Sequence, residues 1–140
     1  MERSRVLIVD DNAHVRRLVK EIVAEISNTE SFECADGKSA IVSGQHWNAD
    51  VALVDYEMHP MNGVAFTEKV RSGQTPYRRD MPIIMMTGHA DQAHVVNARK
   101  AGVNAFLVKP LSVGAVVTTL QKVLEAQAAR QSTVRNRLAS

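Results

Sequence analysis

Short apolar runs recur along the chain at Val6–Val9, Ser31–Cys34, Val51–Val54, Pro82–Met86 and Ala105–Val108. The second is the weakest. The last three are uninterrupted, which is the pattern of strands buried on both faces. Between the runs the period changes from strand-like to helical. Val15, Leu18, Val19, Ile22, Val23 and Ile26 form a stripe at three- and four-residue spacing, and so do Val113, Val116, Val117, Leu120, Val123 and Leu124. Segments near Lys38–His46 and Gly63–Arg71 are less periodic and complete the helix count. Asp91 suits the N-cap of the fourth helix, Gly102 its end, and Ser112 the start of the fifth. Strict alternation of strand and helix predicts right-handed crossovers and a parallel sheet covered on both sides. Five such units predict an α/β fold with a doubly wound five-stranded sheet in the order 2-1-3-4-5, as a single domain. Its ligand crevice lies between the first and third strands.

Polar residues follow the apolar runs at the same edge. Asp10 and Asp11 follow the first, Asp55 the third, Thr87 the fourth and Lys109 the fifth. In a parallel sheet these ends share one side, so three carboxylates, a hydroxyl and an ammonium converge. Asp11 or Asn12 alone could simply cap a helix, and Thr87 in a Thr-Gly pair could be only a turn residue. Taken together with Asp55 and Lys109, they make a divalent-cation site. The loops are acidic and poor in glycine, so they form no cradle of backbone amides for phosphate. Oxygen-only ligands point to Mg²⁺. Strand spacing of about 4.8 Å puts Thr87 one step from Asp55 and Lys109 about 10 Å away, a gap that a long side chain closes. The chemistry this suits is attack by a carboxylate on phosphorus, with cationic groups holding the charge in flight.

Bulk properties narrow the class. The 140 residues suffice for one domain with a full core. The single cysteine, Cys34, excludes an internal disulfide and a multi-cysteine zinc site, and reads as a small buried hydrophobe. No apolar run approaches the length of a membrane span, and the N-terminus leads directly into a strand, so a cytoplasmic protein is expected. The formal charge of +2 is uneven: Arg130, Arg135 and Arg137 lie in a C-terminal stretch without acids. The remainder carries 14 basic against 15 acidic residues, so nucleic acid is not an expected partner of the body. Residues 1–128 are expected to form the domain and 129–140 a basic, flexible tail.

The combination Asp10-Asp11, Asp55, Thr87 and Lys109-Pro110, with Val-Leu-Ile-Val-Asp-Asp and Phe-Leu-Val-Lys-Pro at its two ends, resembles the receiver domains of two-component response regulators, the CheY-like group. The likeness spans about Ser4 to Glu125 and implies a flavodoxin-like (βα)5 fold. It implies Asp55 as phosphoacceptor, with Asp11 and Asp55 holding Mg²⁺, Asp10 assisting through water, and the backbone carbonyl of Glu57 as a further ligand. Thr87 and Lys109 would bind the phosphoryl group, Phe106 would turn inward on activation, and the bond before Pro110 would be cis. Glu57 and His89 match positions that flank the path of hydrolytic water and tune the lifetime of the aspartyl phosphate. The implied partners are a sensor histidine kinase or histidine phosphotransfer protein, and an output protein at the face of the fourth helix, fifth strand and fifth helix. A phosphorylation-dependent homodimer is a further implied state. One departure is visible: the proline expected four residues after Asp55 is displaced by His59, and Pro60 follows.

Rival readings rest on less. A receiver excised from a longer DNA-binding regulator has the same site. An aspartyl-nucleophile phosphatase of the haloacid-dehalogenase type wants a second aspartate where Glu57 stands. An FMN protein needs amides and hydroxyls where Asp10 and Asp11 stand, and a degenerate scaffold would lack the residues found here. The histidines lack the HxxxH and HExxH spacings of transition-metal sites. Met58, Met61, Met81, Met85 and Met86 read as packing, and Tyr77-Arg78-Arg79 as a solvated connector.

Overall fold

The computed structural model describes residues 3–89 and 91–139. Strands β1 (Ser4–Val9), β2 (Thr29–Cys34), β3 (Val51–Asp55), β4 (Ile83–Thr87) and β5 (Ala105–Val108) form one parallel sheet in the order β2-β1-β3-β4-β5. The register pairs Val9 with Val54, Asp55 with Met86 and Thr87 with Val108, which levels the C-terminal ends of the four strands that carry the acidic, hydroxyl and lysine positions. Helices α1 (Ala13–Ala24), α2 (Gly37–Ser43), α3 (Gly63–Arg71), α4 (Gln92–Ala101) and α5 (Val113–Ala139) connect and cover it.

Alternate residues of the central strands point to opposite faces, so the sheet has two cores. On one face Val6, Ile8, Leu53, Ile84 and Met86 pack against Val19, Ile22 and Val23 of α1 and Val116 and Leu120 of α5. On the other Leu7, Val54, Ile83 and Met85 meet Ala40 of α2, Phe66 and Val70 of α3, and Ala98 of α4. The helix starts are capped by short polar side chains: Asn12, Asp36, Asn62 and Asp91 each accept from backbone amides of the first turn, and Ser112 accepts from Ala115. Gly102 ends α4 with φ of 108°, a conformation that favours glycine.

Several expectations are corrected. Asp55 and Thr87 are the last residues of their strands rather than the first beyond them, because each still belongs to the sheet ladder. The second helix stops at Ser43, short of His46, and is capped by Gly44. Residues 129–139, expected as a basic tail that is either a frayed helix end or disordered, lie in α5, which runs to Ala139. Ala126, Gln127, Ala128, Ala129, Arg130 and Gln131 favour helix, and extension from a packed helix needs no new nucleus. Leu18 and Val113 belong to the predicted stripes but are exposed.

Tyr77 is buried, not solvated: its hydroxyl donates to the Ala40 carbonyl at 2.6 Å, tying the α3–β4 connector under α2. Arg71 fixes the other side of that connector. Its guanidinium donates to the carbonyls of Arg79, Met81 and Gly102 and to Asn104 Oδ1, between 2.7 and 3.2 Å. Burial, the largest influence, lowers its pKa from the ordinary arginine value. The four methionines Met58, Met81, Met85 and Met86 are core residues.

Candidate functional site

Asp10 and Asp55 reach the crevice from adjacent strands and are almost wholly buried, at 0% and 4% exposure, whereas Asp11 is exposed. Asp10 Oδ1 accepts from the Asn12 amide at 2.9 Å, and the Asp10 carbonyl accepts from Arg16 at 2.6 Å, which fixes the turn into α1. Lys109 crosses two strand positions and donates from Nζ to Asp10 Oδ2 at 3.0 Å and to Asp55 Oδ1 at 3.1 Å. Its backbone amide is anchored on the Thr87 carbonyl at 2.8 Å. The Lys109–Pro110 bond is cis, and so is His59–Pro60.

Burial pushes the Asp55 carboxyl above the ordinary aspartate value, the neighbouring Asp10 adds to the rise, and Lys109 pulls part of it back. Burial works against the Lys109 ammonium, but hydrogen bonds to Asp10 and Asp55 outweigh it and leave its pKa raised. The site is therefore a strained concentration of negative charge that one ammonium only partly neutralises.

Candidate ligand oxygens of Asp10, Asp11 and Asp55 all lie within 4.8 Å of one another. Hard oxygen donors converging from two strand ends fit a small divalent cation such as Mg²⁺. This is the one cluster of three or more such residues among those described, and no histidine joins it.

The site residues described above all lie within the stretch that a protein-family model matches. A family model described as the response regulator receiver domain fits residues 6–121. The chain belongs to the response regulator receiver domain family. It is 34% identical over 121 residues to the chemotaxis protein CheY homolog of Campylobacter jejuni, an alignment covering 86% of this chain and 92% of that protein. The structure of chemotaxis protein CheY4 of Vibrio cholerae superposes with a TM-score of 0.79 at 29% identity, covering 86% of this chain and 98% of that one. A CheY-like receiver domain protein of Methanospirillum hungatei gives a TM-score of 0.82 at 26% identity, covering 92% and 99%.

Around this receiver site, the remaining expected residues are not all gathered at the carboxylates. Thr87 is buried, but its hydroxyl is turned onto its own loop, donating to the His89 carbonyl and accepting from the His89 amide, both at 3.0 Å. The Glu57 amide faces Asp55 Oδ1 at 3.4 Å. The exposed side chains of Glu57 and His89 meet each other, Oε1 to Nε2 at 3.6 Å. Phe106 is half-buried on the edge strand, its ring 5.3 Å from the Arg99 guanidinium. Two neighbours were not singled out by the pattern: Tyr56, whose ring lies 4.8 Å from that of His94, and Arg16. Adjacency to the acidic motifs was their one available signal.

Within the described residues no helix is long and apolar enough to cross a membrane.

Proposed function

We propose that this receiver accepts a phosphoryl group on Asp55 from a phosphohistidine of a sensor kinase or phosphotransfer protein. An Asp55 carboxylate oxygen attacks phosphorus, the phosphorus–nitrogen bond breaks, and the imidazole leaves. The observation that carries the reading is the buried Asp10–Lys109–Asp55 arrangement, with Lys109 Nζ already within 3.1 Å of the acceptor carboxylate. Asp10, Asp11 and Asp55, with the Glu57 carbonyl, would hold Mg²⁺, which when bound neutralises the carboxylates and favours phosphoryl oxygens in the crevice. Lys109 serves as a mobile point charge for those oxygens.

To reach a phosphoryl group on Asp55, the Thr87 hydroxyl must leave its two hydrogen bonds with His89. That displacement moves the start of the β4–α4 loop, and Phe106, packed between the core and Arg99, repacks with it. The face of α4, β5 and α5 is thereby altered for an output protein or a second copy of the chain. The change is a shift between two populations, biased by the differential contacts of the phosphoryl group. The Glu57–His89 pair borders the approach to Asp55 and sets how readily water reaches the acyl phosphate.

Incubation with acetyl phosphate and Mg²⁺, followed by intact mass measurement, tests this reading. Wild type gains one phosphoryl group and Asp55→Asn gains none; an equal adduct on the mutant overturns it.

A further inference from the structure

At the other end of the sheet from Asp55, the last turns of α5 and the α3–β4 connector enclose a groove of about 540 Å³. The length of β4 separates the two sites, about 15 Å at strand rise. Arg78, Asp80, Gln127, Arg130, Gln131 and Arg135 line the groove. Gln127 is 5% exposed, and its side-chain amide nitrogen is the one buried side-chain polar atom without a hydrogen-bond partner among the described residues. Arg130 and Arg135 have no carboxylate within ion-pair distance among those residues; the lining acid, Asp80, is 3.5 Å from Arg78. Behind the wall lies Arg71, whose donors are taken up by carbonyls and Asn104 rather than by a carboxylate. It feels the charge of Arg130.

The unsatisfied group here, the Gln127 amide nitrogen, is a donor, and the excess charge of the lining is positive. An acceptor-only ligand completes such a site, and planar guanidinium forks match the oxygens of phosphate. The buried, unpaired amide marks an incomplete hydrogen-bond set, which native proteins rarely leave standing. The volume falls within the range of small-molecule pockets, and the donors converge in a concavity rather than along a stripe that would track a duplex. Self-association through these turns would bring together Arg130, Arg135 and Arg137, with no acid in the segment to offset them.

We propose that this groove binds a small phosphate-bearing ligand, of the oligophosphate or nucleotide class, held by Arg78, Arg130 and Arg135 with Gln127 donating at its floor. Occupation pins the last turns of α5 to the connector and requires no phosphorylation of Asp55.

The test is calorimetric titration of the full chain and its Asp55→Asn variant with inorganic tripolyphosphate and with ATP, in EDTA. Amide spectra in parallel follow the Gln127 side chain. One saturable site is expected in both proteins, with the Gln127 amide resonances shifted. Tighter binding of ATP than tripolyphosphate identifies a nucleotide; equal binding identifies the phosphate chain alone. Arg130→Ala with Arg135→Ala should weaken binding about tenfold or more, since charge-assisted bidentate contacts are lost. The double lysine variant should recover only part of that affinity. Gln127→Leu should weaken binding severalfold while its melting temperature is kept or raised, because an unpaired donor is removed. Absence of saturable binding overturns the proposal. So does full affinity in the lysine or Gln127→Leu variants, or preferential binding of duplex DNA or polyglutamate over both probes.

Discussion

Replacing Asp55 with asparagine should stabilise the protein at neutral pH in the absence of divalent cations. The carboxylate oxygens of Asp10, Asp11 and Asp55 lie within 4.8 Å of one another, and at an effective dielectric of about 20 each like-charge pair at that distance costs about 3.5 kcal/mol. Lys109, 3.1 Å from Asp55, returns about 5 kcal/mol on the same scale. Asp11 is exposed, which screens its share, while dehydration of Asp55 adds to the penalty. The net gain for Asp55→Asn is about 1–2 kcal/mol, or about 3–7 °C in melting temperature for a chain of this size. The sign with pH follows from the raised Asp55 pKa. Stability contributed by its protonated form is fully present below the unfolded value of about 4 and is lost as pH rises through the folded pKa. The gap between mutant and wild type should therefore open upward from about pH 4. Mg²⁺ at ten times its dissociation constant should return about 1.4 kcal/mol to wild type and close most of it. Thermal melts at several pH values, with and without Mg²⁺, measure this. A destabilised Asp55→Asn at neutral pH in EDTA, or a gap indifferent to Mg²⁺, refutes the reasoning.

Other perturbations have definite outcomes. A Cβ on Gly63 would sit 2.5 Å from the Asp55 carbonyl and 2.6 Å from Met85 Sδ. Gly63→Ala should lower stability by about 2–3 kcal/mol through overpacking, read by chemical denaturation; an unchanged midpoint contradicts it. Arg71→Met should lose about 2–4 kcal/mol by freeing the connector carbonyls, with the largest gain in amide exchange across residues 78–82 and 102–104. Glu57→Ala or His89→Ala should change the decay rate of the phosphorylated form severalfold while leaving its formation intact; decay at the wild-type rate in both removes their assigned role.

The fold was legible because β3, β4 and β5 are uninterrupted apolar runs and the two long stripes of α1 and α5 have clean helical spacing. The site was legible because register brings strand ends level, so Asp10, Asp55 and Lys109 could be placed together from position alone. What escaped depends on contacts between distant segments. Tyr77 and Arg71 look like surface residues in a polar stretch; only packing against Ala40 and against Gly102, 37 and 31 positions away, gives them their roles. The end of α5 could be read either as a helix end or as a disordered tail, because its signal is propensity without an apolar stripe. The orientation of Thr87 toward His89 is a rotamer choice, to which residue spacing is blind.

The central claim, that Asp55 is the phosphoacceptor, is tested most directly by borohydride reduction of the acetyl phosphate-treated protein followed by peptide sequencing. Reduction of an aspartyl phosphate converts that residue to homoserine. The account predicts homoserine at position 55, dependent on Mg²⁺ during labelling. Homoserine at Asp10 or Asp11 instead, or none at any position in protein that has gained phosphoryl mass, would contradict it.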